Sequence, residues 1–180
     1  MDLSESVSPN PDFSRPLAAL KECHERIRSQ CSMLGQLVVH LKEHGCDGQA
    51  RQAAANAIRF FDHAAHQHHE DEEQDLLPRM MGAASKGRGS SLTRLVADLV
   101  NEHRAMYRAW IELRAVLQMV AAGESTALDA KTVERFARPY LAHLTLEEVN
   151  LFPLAELLLS RDDLAAIGAS MTARRGARIS

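Results

Sequence analysis

Residues His68-His69-Glu70-Asp71-Glu72-Glu73-Gln74-Asp75-Leu76-Leu77-Pro78 and His143-Leu144-Thr145-Leu146-Glu147-Glu148-Val149-Asn150-Leu151-Phe152-Pro153 share one pattern, H-x-x-x-E-E-x-x-L-x-P. In an α-helix, residues four apart project from the same face about one turn apart. Each copy therefore presents a His and a Glu that can grip one cation: His68 with Glu72, and His143 with Glu147. Each copy is also preceded by a single His in an apolar helical stretch, His24 before the first and His103 before the second. A lone H-x-x-x-E arises by chance on many helices. The ordered repeat of H followed by H-x-x-x-E does not, and it points to a site built twice over.

Around these residues the sequence reads as long helical periods with almost no strand signal. Ser14 as N-cap and Pro16 in the first turn start a first helix, with Leu17, Leu20, His24, Ile27, Cys31 and Val38 on one stripe as far as the Gly45 to Gly48 break. A second helix from about Gln49 carries Phe61, Ala65, His68, Glu72 and Leu76 and ends near Pro78 to Gly82. After a loop over 82–91, a third helix to Ala122 carries Leu92, Val96, Leu99, His103, Met106, Trp110 and Leu117, and Gly123 closes it. A fourth, from about Asp129 to Leu159, carries Phe136, Tyr140, His143, Glu147 and Leu151, with Pro139 and Pro153 expected to bend it.

The predicted fold is therefore all-α, an up-down-up-down four-helix bundle over 14–160, flanked by a flexible tail at 1–13. A short extra helix and tail at 161–180 is expected on the outside. Antiparallel neighbours put His24, near the start of one helix, level with His68, near the end of the next. The second pair of helices repeats this with His103 and His143. Each half supplies His, His and Glu, which suggests two metals.

Composition bounds the function. With 180 residues and 46% hydrophobic content, one sizeable core is the default. A net charge of −3, with no basic helical face, lacks the footprint of a nucleic-acid binder. No apolar run reaches the roughly 18 residues of a membrane span, and residues 1–11 lack the core of a signal peptide. The three cysteines, Cys23, Cys31 and Cys46, form no C-x-x-C pair and fit a reducing compartment. A cytoplasmic location is expected, without a nucleic-acid or membrane partner; any protein partner is open.

The chain resembles the hemerythrin-like proteins, the HHE cation-binding domain family, whose pattern is matched by His24, His68 with Glu72, His103, and His143 with Glu147. The resemblance spans the first through the fourth helix. It implies a non-haem di-iron centre whose two carboxylates bridge the ions, although zinc or another divalent metal is open on the residues alone. Oxygen-carrying hemerythrins use a further His one turn beyond the single His of the third helix. Here that position is Tyr107, a departure that speaks against oxygen carriage of that type.

Four imidazoles and two carboxylates suit iron or zinc, and six protein ligands shared by two irons leave positions where O2, NO or peroxide can bind. Three functions follow: a small-ligand binding protein; a di-iron oxidoreductase or iron donor in iron–sulfur cluster repair under oxidative or nitrosative stress; or a bundle that metal merely braces. Whether the protein is an enzyme stays open, and no catalytic residues are assigned.

The remaining polar residues divide by position. His69, on the shoulder of the metal face, is a candidate extra ligand or supporting residue, although its counterpart in the second copy is Leu144. Tyr107 projects toward the same face as His103 and is a candidate to ligate metal, to hydrogen-bond a bound ligand, or simply to pack. Glu73 and Glu148 lie about 100° further round, exposed or supporting the ligands. Arg28, one turn after His24, could steer anions or lay its stem along the surface. His40, His44, His63 and His66 read as solvated, with the cluster around His66 able to capture incoming metal.

Overall fold

The computed structural model describes residues 12–84 and 89–176. Every regular element among them is helical: α1 (Pro16–His44), α2 (48–84), α3 (Gly89–Ala122), α4 (130–158) and α5 (Arg161–Gly176). The expected start of α1 is off by one residue. Its N-cap is Arg15, which lies outside the helical region (φ −124°, ψ 73°) and makes no side-chain cap bond, while Ser14 sits in the preceding turn. Steric conflict with the Pro16 ring keeps the preceding residue out of the helical region. Asp47 caps α2 by accepting from the Ala50 amide at 2.9 Å, and Asp129 caps α4 by accepting from Thr132 at 2.9 Å. Gly45 and Gly123 end α1 and α3 with φ of 73° and 80°, a conformation that costs glycine little.

Two of the helices are interrupted by wider π turns. In α2 these are Phe60–Ala64 and Glu72–Leu76, and in α4 Glu147–Leu151. Each carboxylate of the repeated His-x-x-x-Glu pair, Glu72 and Glu147, opens a π turn. A spacing of four runs about 40° past a full α-helical turn, so His, Glu and Leu at successive fours would drift off the core face. The wider turn cancels part of that drift, and Leu76 and Leu151 remain fully buried. Side-chain periodicity does not encode this change of hydrogen-bond register, and π turns of this kind cluster at functional sites.

The four long helices alternate in direction and pack two apolar clusters, one at each end of the bundle. One holds Ile27, Leu34, Leu37, Phe61, Trp110, Leu113, Phe136 and their neighbours. The other holds Leu20, Leu76, Met80, Leu99, Leu151, Phe152 and Met171. Each buried Leu or Phe contributes about 1.5–3 kcal/mol, and together they clamp a polar layer between two dry ends.

The fifth helix is tied into the bundle through one face. Ile167 and Met171 are buried in the second cluster, and the backbone at Gly168 runs so close to Phe13 that a Cβ there would sit 2.1 Å from the Phe13 carbonyl oxygen. Its last turn carries Arg174 and Arg175, which pair with Asp71, a residue with no exposed surface; Arg174 also bonds Asp75 at 2.6 Å, and Arg175 bonds Asp71 at 2.7 Å. The last turn of α5 is thus an anchor. The guanidinium of Arg175 also lies 4.5 Å from the Phe13 ring centre, so the end of the expected N-terminal tail is tied down, while residues 1–11 lie outside the described residues.

Candidate metal centre

Between the apolar clusters lie six side chains with almost no exposed surface: His24, His68 and Glu72 at 0%, His103 at 3%, His143 at 2% and Glu147 at 0%. They are the six residues expected from the repeat. His24 Nε2 stands 3.2 Å from His68 Nε2, and His103 Nε2 stands 3.0 Å from His143 Nε2. Glu147 lies between the pairs, 3.2 Å from His24 and 3.1 Å from His143; Glu72 does the same, 3.4 Å from both His68 and His103. Two four-residue groups result, His24, His68, Glu72, Glu147 and His103, His143, Glu72, Glu147, and both carboxylates belong to both.

None of the four carboxylate oxygens of Glu72 and Glu147 has a hydrogen-bond partner among the described residues. The nearby nitrogens approach them without the alignment a hydrogen bond needs. Burying polar atoms this way costs several kcal/mol unless a cation satisfies them. Nitrogen ligands about 2.1 Å from one ion at near-right angles stand roughly 3.0–3.2 Å apart, which is the spacing of both imidazole pairs. The donor set, the shared carboxylates and the orphaned oxygens all fit a metal site.

Around these six residues, further carboxylates hold the imidazoles. Glu148 Oε1 accepts from His24 Nδ1 at 2.7 Å, Glu73 Oε1 from His103 Nδ1 at 2.7 Å, and Glu102 Oε2 from His143 Nδ1 at 2.7 Å. Such bonds fix the ring orientation and leave Nε2 free to ligate. Arg28 grips Glu148 with both amino groups, at 3.0 and 2.8 Å, and so acts on His24 through the carboxylate. Glu73 and Glu148 follow from the repeat, being the second Glu of each copy. Glu102 does not: it precedes the lone His103 yet serves His143, and no spacing signals that. His68 differs, since its Nδ1 is buried with no hydrogen-bond partner among the described residues.

Electrostatics follow this layout. Burial, and then the charge of Glu147, pushes the Glu72 carboxyl well above its usual range. Burial pushes Glu147 upward too, but His103, His143 and His24 together outweigh it and hold that group well below the usual value. Burial depresses His68 and His69 well below the usual imidazole value, favouring the neutral ring in both. For His103 burial is overcome by Glu147 and Glu73, which raise its pKa.

Two expectations need correction. Tyr107 is 56% exposed and lies outside the buried layer, because the buried seam of α3 passes from His103 to Met106 and Trp110, leaving the i+4 position on the shoulder. The tyrosine in the interior is Tyr140, whose hydroxyl lies 3.0 Å from His69 Nε2. His40 is not solvated but 6% exposed, bonded to Asp47 at 3.0 Å. His44, His63 and His66 are exposed, as expected. All three cysteines are free, and burial pushes the Cys23 and Cys31 thiols up to about 12, far from a reactive thiolate.

A four-helix bundle whose middle layer is four imidazoles and two shared, otherwise unsatisfied carboxylates is a metal-binding bundle. The model of the hemerythrin HHE cation-binding domain matches residues 15–155, and the chain belongs to that family. It is also similar to an uncharacterized protein of Haemophilus influenzae, with 29% identity over 163 residues, 91% of each chain. No helix among the described residues is long and apolar enough to cross a membrane.

Proposed function

We propose that this protein is a non-haem di-iron protein that binds O2, NO or a related small ligand at a carboxylate-bridged centre. The observation that carries this reading is that both Glu72 and Glu147 are fully buried, lack hydrogen-bond partners among the described residues on all four oxygens, and belong to both ligand groups. A carboxylate shared in this way would bridge two ions.

Iron is favoured over structural zinc by the donor set: two carboxylates shared between two pairs of imidazoles would hold two ions, whereas a structural zinc site is a closed set of four ligands around one. When bound, a pair of irons supplies redox-active positions that can take up a small ligand. The chain's own part is to hold the ligand imidazoles through Glu148, Glu73 and Glu102, and to seal the layer from water between two apolar clusters.

The test is reconstitution of metal-free protein with ferrous iron, followed by optical spectra under O2, NO and peroxide. Distinct spectral responses to at least one of these support the reading. Iron uptake with no response would reduce the centre to a brace for the fold, and preference for zinc over iron would remove the di-iron assignment.

A further inference from the structure

The two halves of the centre share their ligand types but not their surroundings. In the repeat, His69 corresponds to Leu144 and Tyr140 to Ala65. Leu144 and Ala65 are buried apolar residues. His69 and Tyr140, in contrast, bond to each other at 3.0 Å, and the His69 ring stacks on His103 with centroids 4.1 Å apart and planes 12° apart. His69 also has a ligating atom within 4.8 Å of those of His103 and His143. On the other side, the ring stacked on His24 is Phe152, at 5.2 Å. The polar pair therefore exists only beside His103 and His143.

A cavity of about 350 Å³ reaches this pair from the surface between α2 and α3. Tyr107 and Ile111, 56% and 48% exposed, lie at its mouth, and Phe61, Trp110 and Phe136 wall it with aromatic carbon. Its one arginine, Arg114, is paired with Asp62, which also accepts from the Trp110 indole at 2.9 Å. The walls thus offer no unneutralised charge to an ionic ligand. His69 and Tyr140 form the inner wall.

Resting on the small-ligand reading above, we propose that an uncharged small molecule enters through this cavity to the His103–His143 side of the centre, where the Tyr140–His69 pair hydrogen-bonds it. Tyr140 and His69 are positioning residues that give a pseudo-symmetric centre one ligand-accepting side. Ala65, one turn before His69 on the cavity lining, sets the width of the passage.

Two measurements test this. In metal-free protein, quenching of the single tryptophan, Trp110, by dissolved O2 reports entry to the cavity without any metal. Quenching should fall in Ala65→Leu and in Ile111→Phe, which narrows the mouth from an exposed position the core does not need. It should be unchanged in Ala142→Leu, which lines a separate cavity on the α3/α4 side beside His143. In iron-loaded protein, Tyr140→Phe and His69→Leu should weaken NO affinity, read from the visible spectrum, by about tenfold, the worth of one hydrogen bond, with iron content unchanged. Loss of iron in His69→Leu would make that residue a ligand and overturn the positioning role. Unaltered NO affinity in both variants, or quenching that Ala65→Leu and Ile111→Phe leave unaltered, would also overturn the inference. A wild type that takes up iron but ignores NO defeats the small-ligand reading instead, and Trp110 quenching then still decides whether the cavity admits small molecules.

Discussion

Replacing Glu72 with leucine should make the metal-free protein more stable while destroying its metal site. Glu72 has no exposed surface, neither oxygen has a hydrogen-bond partner among the described residues, and Glu147 is its nearest carboxylate competitor. An unsatisfied buried polar group costs about 1–3 kcal/mol, which an apolar side chain of similar size in its place avoids. For a chain of this length each kcal/mol moves the melting temperature by about 2–4 °C, so metal-free Glu72→Leu should melt several degrees above metal-free wild type. Glu72→Gln keeps the shape and the polar atoms and should show little of that gain. The assay is thermal unfolding by circular dichroism in chelator, repeated after metal addition, where the order should reverse because only wild type gains from ligation. A metal-free Leu variant no more stable than wild type would refute the claim that this carboxylate is held in place for a cation.

The same carboxyl shapes the pH response of the metal-free protein. Burial depresses His68 and His69, so below about pH 6.5 the unfolded chain takes up protons the fold does not, and stability falls with acidification. Glu72, raised instead, contributes stability that is lost as pH rises through its folded value, and so opposes this acid loss; chemical denaturation from pH 7 to pH 5 should show a steeper loss in Glu72→Leu than in wild type. Glu148→Ala and Glu73→Ala each free a ligand imidazole and should weaken metal binding about 10–100-fold in competition with a chromophoric chelator, whereas His40→Ala, bonded to Asp47 far from the layer, should leave it unchanged. Removing Arg174 and Arg175 together leaves Asp71 buried without its cations and should cost about 3–5 kcal/mol in urea denaturation.

How much of this was legible in the sequence depends on how locally each feature is written. The ligands could be read because a spacing of four puts His68 and Glu72, or His143 and Glu147, on one helical face, and because the repeat lifts His24 and His103 out of the background of buried histidines. The bundle followed from the periodicity of four long helices and the glycines at 45 and 123. Features that depend on contact between distant helices were not legible. Glu102 bonding His143, Tyr140 bonding His69, and Arg174 with Arg175 closing on Asp71 join residues 41, 71 and about 100 positions apart. Tyr107 was misplaced for a related reason: a step of three or four along a helix leaves two candidate positions, and only the packing of α3 decides that Met106 takes the buried one.

The central claim, a two-ion centre bridged by Glu72 and Glu147, is tested most directly by titrating metal-free protein with ferrous iron under anaerobic conditions and counting bound ions per chain. The account predicts a stoichiometry close to two, with Glu72→Ala and Glu147→Ala each losing much of the iron because each carboxylate touches both ions. Saturation near one iron per chain, or a Glu147→Ala variant that still holds two, would contradict it.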